Sequence, residues 1–226
     1  MTLEADVIGV REQGDEVVVT WIDAGGDEQS ERFAGCVLAV PAPIAARVHT
    51  DLAPSRREFL ERTPYNAMTV VSLGLSKPPP GLDCAFYAHP ETEEIFTSVF
   101  EHNKLRTLVP EGKGLVSLYP NDEMSKALLD QEDDAVIDQV VKAARTVLPP
   151  MEDEIEFAIV HHWELGAFRS RVGYYRDLRE FHAAPDRLIQ FAGDYFAPTS
   201  MNTASSAGQR ASRLLVRALG GVGVAS

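Results

Sequence analysis

The stretch QFAGDYFAPTSMNTASSAGQRAS, residues 190–212, decides how this chain is read. It leaves an apolar run at Phe191 and passes through Ala192, Gly193 and Asp194 into a polar turn with Pro198, Thr199, Ser200 and Asn202. Small residues then open a helix expected over 204–219, on which Ala204, Ala207, Ala211, Leu214, Leu215 and Ala218 share a face. Arg210, Arg213 and Arg217 fall in its later turns, where cations suit the helix dipole. A buried strand led through a short turn into a helix start is a place to hold an anion or a carbonyl oxygen. First-turn amides have no helical acceptor there, and the dipole end is positive. Thr203, Ala204 and Ser205 leave room for a flat ligand beside the backbone, and Asp194 can accept hydrogen bonds from sugar hydroxyls. The same residues also fit a plain helix start, with Ser200 or Asn202 as the cap and Asp194 closing a turn. The pattern alone leaves both readings open.

Working outward, the N-terminal end also reads as strand and helix. ADVIGVRE and EVVVTWID are strand-like runs joined by QGD, a hairpin turn signal. CVLAV is a short apolar run stopped by Pro41, as expected of a strand buried on both faces. Helices are expected at PIAARVH and around APSRREFLERT. The middle differs. AMTVVSLGLS, EIFTSVF, GLVSLYP and EIEFAIVHHWEL read as strands, and DDAVIDQVVKAARTVL carries a helical stripe stopped by Pro149 and Pro150. The segment 166–186 shows no clear period, and RLIQFAG is a last buried strand. The fold class is α/β in the mixed α+β sense: one domain completed from both chain ends, with a second, mixed β/α domain inserted between.

The 226 residues carry 34 acidic against 21 basic side chains, a formal net charge of −13, which argues against nonspecific nucleic-acid binding. No apolar run approaches the roughly 20 residues of a membrane span, and MTLEADVIGV has no basic leader region. Cys36 and Cys84 lie far apart with no CxxC partner, which suggests two buried, unpaired thiols in a cytoplasmic protein. His161 and His162 are adjacent, so on a strand they face opposite sides, and no metal site is expected there. Trp163 is expected in a core or on a ligand pocket, with core favoured, and the acidic clusters at Glu132 and Glu152 on solvated surface.

With these residues in view, the tail resembles the C-terminal FAD motif of the flavin-containing amine oxidase superfamily, which includes monoamine and polyamine oxidases, protoporphyrinogen oxidases and phytoene desaturases. The family pattern runs from an apolar strand through A-G-D/E and a variable turn to small residues and a G-A-x-x-S/A-G-x-x-A-A helix. Ala192, Gly193, Asp194, Ser200, Met201, Asn202, Thr203, Ala204, Ala207, Gly208 and Ala211 follow it, with Thr203 in place of the usual Gly and Ser212 in place of the second Ala. The first hairpin is similar to the family hairpin whose first strand meets the FAD adenine through its backbone, at the position of Val7. CVLAVPAPIAARV resembles the strand-and-proline segment that returns the chain to the cofactor domain.

That resemblance implies a partial FAD-binding domain over 1–45 and 186–226 and a substrate-binding domain over 46–185. Val7, Gly193, Asp194, Met201, Asn202, Thr203 and Ala204 are then the cofactor-binding candidates, with Asp194 at the ribityl or pyrophosphate region and the Met201 and Asn202 backbone at the flavin pyrimidine edge. No catalytic residue is assigned. The family's opening G-x-G-x-x-G turn has no counterpart: AGG at 24–26 leads into polar chain, and GGVG at 220–223 has no helix to follow. The chain is therefore expected to be the C-terminal part of a flavoenzyme, to bind FAD weakly or not at all alone, and to work with a Rossmann-containing N-terminal half. The strand NAMTVVSLGLS lacks the Lys that many amine oxidases carry, with Val70 near that place, and Ser200 stands where an aromatic often precedes the helix. A ring or carbon–carbon substrate is favoured over an amine. Tyr174 and Tyr175 are expected in an irregular segment that reaches toward the substrate. The alternative is a cofactor-free module that keeps the fold and binds a ligand or a protein.

Overall fold

Valines at 10, 17 and 18 have nowhere to go but inward, and they fix the first hairpin. In the computed structural model, which describes residues 1–90, 93–183 and 187–220, Asp6–Gln13 (β1) and Glu16–Ile22 (β2) pair antiparallel with Gln13 opposite Glu16. Gly14 takes the turn at φ +68°, a left-handed value that costs glycine nothing. Glu28–Phe33 (β3) adds to the outer edge of β2 with all six residues exposed. Cys36–Leu38 (β4) follows. It is less enclosed than its apolar sequence suggests, for Val37 is exposed.

Pro41 and Pro54 then start two helices, Ala42–Val48 (α1) and Pro54–Glu61 (α2), where a missing N–H is harmless. The chain forms two compact units, one from Met1–Pro64 with the described residues from Phe168 onward, the other Tyr65–Ala167. The division falls after the first boundary read from the sequence, 45, and before the second, 186, which lies outside the described residues, so the first unit is larger than expected at both joins. The reason is where the amphipathic helices bury: α1 lies against β1, with Thr50 N–H donating to Val10 O, and Ala45 and Leu60 are fully enclosed in this first unit. An apolar helix face does not announce which core it belongs to.

The second unit is built on one sheet. Tyr65–Leu75 (β5), Phe86–Ala88 (β6) and Ile95–Phe100 (β7) are followed by the short helix Glu101–Lys104 (α3). Gly114–Pro120 (β8), Asp122–Leu128 (α4), Asp133–Ala144 (α5) and Ile155–Phe168 (β9) complete it. The strands lie in the order β6-β7-β8-β5-β9, and β6 with β7, β7 with β8 and β8 with β5 pair antiparallel. On one sheet face Val71, Leu73, Val116 and Leu118 meet Leu128 of α4 and Val136 and Val140 of α5. Each such burial stabilises by about 1.5–3 kcal/mol. On β9, Ala158 and Val160 pack against this core, so the alternate residues Phe157, Ile159 and Trp163 stand exposed on the other side. Trp163 is thus not a core residue, against the sequence expectation; the strand period turns it outward.

The chain returns to the first unit through Tyr174–Ala183 (α6), Ile189–Phe191 (β10) and Met201–Ala218 (α7). β10 pairs in parallel with β4, Ile189 opposite Cys36 and Phe191 opposite Leu38. α6 is a helix where the sequence showed no period, because only Tyr174, Leu178 and Phe181 of its ten residues are buried. Those three make the stripe. Tyr174 is not an element of an irregular, ligand-facing segment: it is 1% exposed, and its hydroxyl donates to Tyr195 O at 2.7 Å. Tyr175 is exposed. Phe59 and Phe181 stack at 5.0 Å, and the buried Arg56 guanidinium lies 4.2 Å from the Phe181 ring centre and 5.2 Å from that of Phe191.

Candidate cofactor and substrate sites

The start of α7 is capped from its own turn. Ser200 Oγ accepts from Thr203 N–H at 3.1 Å, Ser200 O takes the first helical bond from Ala204, and Thr203 Oγ1 donates to Pro198 O at 2.6 Å. The amides of Met201 and Asn202 are left without a protein acceptor among the described residues, at an exposed helix end of 18 residues. The capping reading and the ligand reading are therefore compatible: Ser200 satisfies one first-turn amide, and two remain for an outside acceptor. Ala204 is exposed, and a Cβ added at Gly208 would meet nothing within 4 Å, so no packing of this chain requires those residues to be small.

Asp194 opens a single 3-10 turn, Asp194–Phe196, directly after β10. Burial pushes its carboxyl above the usual value, while hydrogen bonds from its own amide and that of Tyr195 act the other way. A half-buried carboxylate has further lone pairs beyond those two bonds and is suited to accept from a hydroxyl. Gly193 has a packing reason for its identity. A Cβ there would fall inside contact distance of the ring of Tyr195, which is fully buried. Val7 lies on β1, the edge strand of the three-stranded sheet, beside an irregularity between Val7 and Gly9. Elsewhere that edge is engaged, at Val10 by Thr50 and at Glu12 by Asp51. Val7, Gly193, Asp194 and 201–204 all belong to the first unit.

The second unit holds a cavity of about 730 Å³, enough for a small organic molecule. Met68, Phe86, Phe96 and Val99 make its walls apolar. Most polar groups at its edge are already engaged. Asp122 accepts from Ala67 N–H and from Lys126, both at 2.8 Å; Asn121 caps α4 by accepting from Met124 N–H; Lys104 pairs with Glu101. Burial pushes the Tyr119 hydroxyl up, with Glu101 adding to the shift, so it stays a neutral phenol. Two polar atoms on the lining residues are different: Thr97 Oγ1 and Asn66 Oδ1 are buried and have no hydrogen-bond partner among the described residues. No sequence pattern marks either one, since Thr97 on a strand and Asn66 at a strand start are ordinary. Val70, on β5, is buried.

Among the described residues, no group of three or more His, Cys, Asp or Glu side chains is placed to hold a metal ion, and no helix is long and apolar enough to cross a membrane. His161 is exposed and stacks near Trp163, whereas His162 Nδ1 meets Thr69 Oγ1 at 2.9 Å.

The family model for flavin containing amine oxidoreductase matches residues 1–216. Among solved structures, the chain is similar to a candidate protoporphyrinogen oxidase from Exiguobacterium sp. 255-15, with a TM-score of 0.68 and 13% identity over 94% of this chain and 47% of that one. It is also similar to a triple mutant of putrescine oxidase made in a structure-based redesign of cofactor binding. The TM-score there is 0.70, with 16% identity over 94% of this chain and 48% of that one. At such identities the likeness is one of fold, and the chain spans about half the length of either structure. No curated protein matches.

Proposed function

Since the chain belongs to the flavin-containing amine oxidoreductase family, we propose that it forms the C-terminal portion of an FAD-dependent oxidoreductase acting on a small, largely apolar substrate. The observation that carries this reading is the start of α7, where two amides lack acceptors among the described residues, in the same unit as the half-buried Asp194. In this reading Val7 offers backbone to an adenine, Gly193 and Asp194 border the ribityl and pyrophosphate region, and Met201, Asn202, Thr203 and Ala204 meet the flavin edge. Bound there, FAD supplies the hydride acceptor that no side chain can provide. The positive end of α7 favours negative charge at its amides, and so favours the reduced over the oxidised cofactor. A half with a G-x-G-x-x-G turn is the partner this reading needs for the pyrophosphate, and the unpaired Cys36 and Cys84 suit a cytoplasmic setting.

For the substrate we propose the cavity of the second unit. A ring or carbon–carbon substrate is favoured over an amine. No Lys lies on β5, and the cavity's one carboxylate, Asp122, is already held by a backbone amide and Lys126. A cation entering the cavity would find no free counter-charge among the described residues.

The experiment is an FAD titration of the chain alone and together with a G-x-G-x-x-G half. Alone, the chain should stay colourless or bind weakly, for the pyrophosphate turn contributes several charge-assisted bonds. Together, the two should hold flavin. Asp194→Ala should then weaken retention roughly tenfold to a hundredfold, the loss of one charged hydrogen bond of about 1.5–3 kcal/mol. A cofactor-free module predicts no flavin in either sample, and that result ends the proposal.

A further inference from the structure

We propose that two copies of this chain join edge to edge through β9, antiparallel about a two-fold axis at His161, so that their second-unit sheets run on as one. Such a dimer needs only the second unit, whether or not the chain binds flavin.

An edge strand presents a row of unpaired N–H and C=O groups, and proteins blunt it with shortness, proline, charge or a bulge. The two edges of this sheet differ in that respect. β6 is three residues long, Phe86–Ala88, whereas β9 runs for 14, Ile155–Phe168, and contains no proline. Its only carboxylates are Glu156 and Glu164, and Glu156 is engaged by Lys113. Phe157, Ile159 and Trp163 stand about half exposed on one face. On the opposite face Ala158 and Val160 pack against the unit's own core, so the strand is held in place before any partner arrives. A preformed edge with apolar side chains along it is a template for a further strand.

The sequence of β9 suits a copy of itself. With His161 opposite His161, Ile159 of one copy faces Trp163 of the other, and Phe157 faces Leu165, each twice over by symmetry. Side chains directly opposite in an antiparallel pair lie about 4.5–5.5 Å apart at Cβ, close enough for an aromatic ring to cover an aliphatic branch. The carboxylates stay apart in this register, with Glu156 opposite Gly166 and Glu164 opposite Ala158. Pairing about Val160 instead would set Glu156 directly against Glu164, like charges that destabilise a pair. Pairing about His162 would give up the contact of Trp163 with Ile159 for one with His161. The register about His161 is thus the one that buries the apolar side chains together and separates the acids. The net charge of −13 opposes association at long range, so this dimer should tighten as salt screens it.

The test is sedimentation of the full chain over roughly a hundredfold range of concentration, at low and at physiological salt. The wild type should show a monomer–dimer equilibrium that moves toward dimer as salt rises. Ile159→Lys should raise the dissociation constant about tenfold or more, since it buries a charge against Trp163. Ile159 is half exposed in the single chain, so this variant should keep the melting temperature of the dilute wild type. Trp163→Glu alone should weaken the dimer likewise. The two substitutions together should restore it, because in the register about His161 each new charge faces its opposite. A chain that stays monomeric at every concentration overturns the proposal. A dimer indifferent to Ile159→Lys overturns it as well, and so does a double variant that fails to recover. A dimer that dissolves when a G-x-G-x-x-G half is added would give the β9 edge to that half, and self-pairing would fall.

Discussion

Replacing Gly193 by alanine should destabilise the chain through one side chain, Tyr195. Gly193 sits at φ 165°, extended backbone that any residue adopts, so the substitution carries no backbone strain. On entropy alone alanine should stabilise, by about 0.4–1 kcal/mol, because it restricts the unfolded chain. Against this, the new Cβ would fall inside contact of Tyr195 Cε1 and 2.6 Å from Cδ1. The ring cannot swing away freely. It is fully buried, it lies 4.4 Å from the Phe196 ring, and its own carbonyl is held by the Tyr174 hydroxyl at 2.7 Å. Overpacking of this kind costs about 1–3 kcal/mol, so the net loss should be about 1–2 kcal/mol. The assay is urea denaturation of Gly193→Ala, Tyr195→Ala and the double variant. Removing the ring costs several kcal/mol by itself but frees the space, so Gly193→Ala should then be neutral or slightly stabilising. The same cost in both backgrounds would refute the steric argument. No effect on the ligand-free chain at all would return Gly193 to a purely cofactor-facing role.

Ser200→Ala removes the cap on Thr203 N–H and should lower stability by about 1 kcal/mol, read from a denaturant midpoint, while Ser200→Gly should cost only a few tenths. His182 gives the chain a pH dependence. Burial, with Arg210 and Arg56 nearby, lowers its pKa from 6.5 to about 4. The unfolded chain therefore takes up the proton first, so stability is full above about pH 6.5 and falls as pH drops toward 4. Discounted for solvent screening of a half-exposed ring, the loss should be about 1–2 kcal/mol. His182→Gln should melt with a flatter pH profile over that window, and parallel profiles would count against the assignment.

The hairpin and the final strand–turn–helix were legible because local signals agree there: apolar runs broken by Gly14, a polar turn, and small residues repeating with the helical period. β3 was invisible for the opposite reason. Its sequence EQSERF buries nothing, and only the backbone ladder to β2 holds it. α6 hid behind a thin stripe of three buried residues, and Trp163 was misplaced because its bulk suggested a core that the strand period denies it. The role of Gly193 could not be read from neighbours in sequence, since it depends on how the turn folds the Tyr195 ring back over it. Thr97 and Asn66 carry no signal at all until the sheet brings both to the lining of one cavity.

The parallel pairing of β4 with β10 also sets an order of events in time. Cys36 finds Ile189 only after more than 150 intervening residues have left the ribosome, whereas every strand of the Tyr65–Ala167 unit finds its neighbours within one contiguous segment. At about 5–20 residues per second of synthesis, the early hairpin waits on the order of ten seconds or more for its remaining partners. The middle unit is therefore expected to fold first, with the face of α2 that meets α6 uncovered in the interval. Such exposed surface is what a chaperone recognises and what aggregates when none is present.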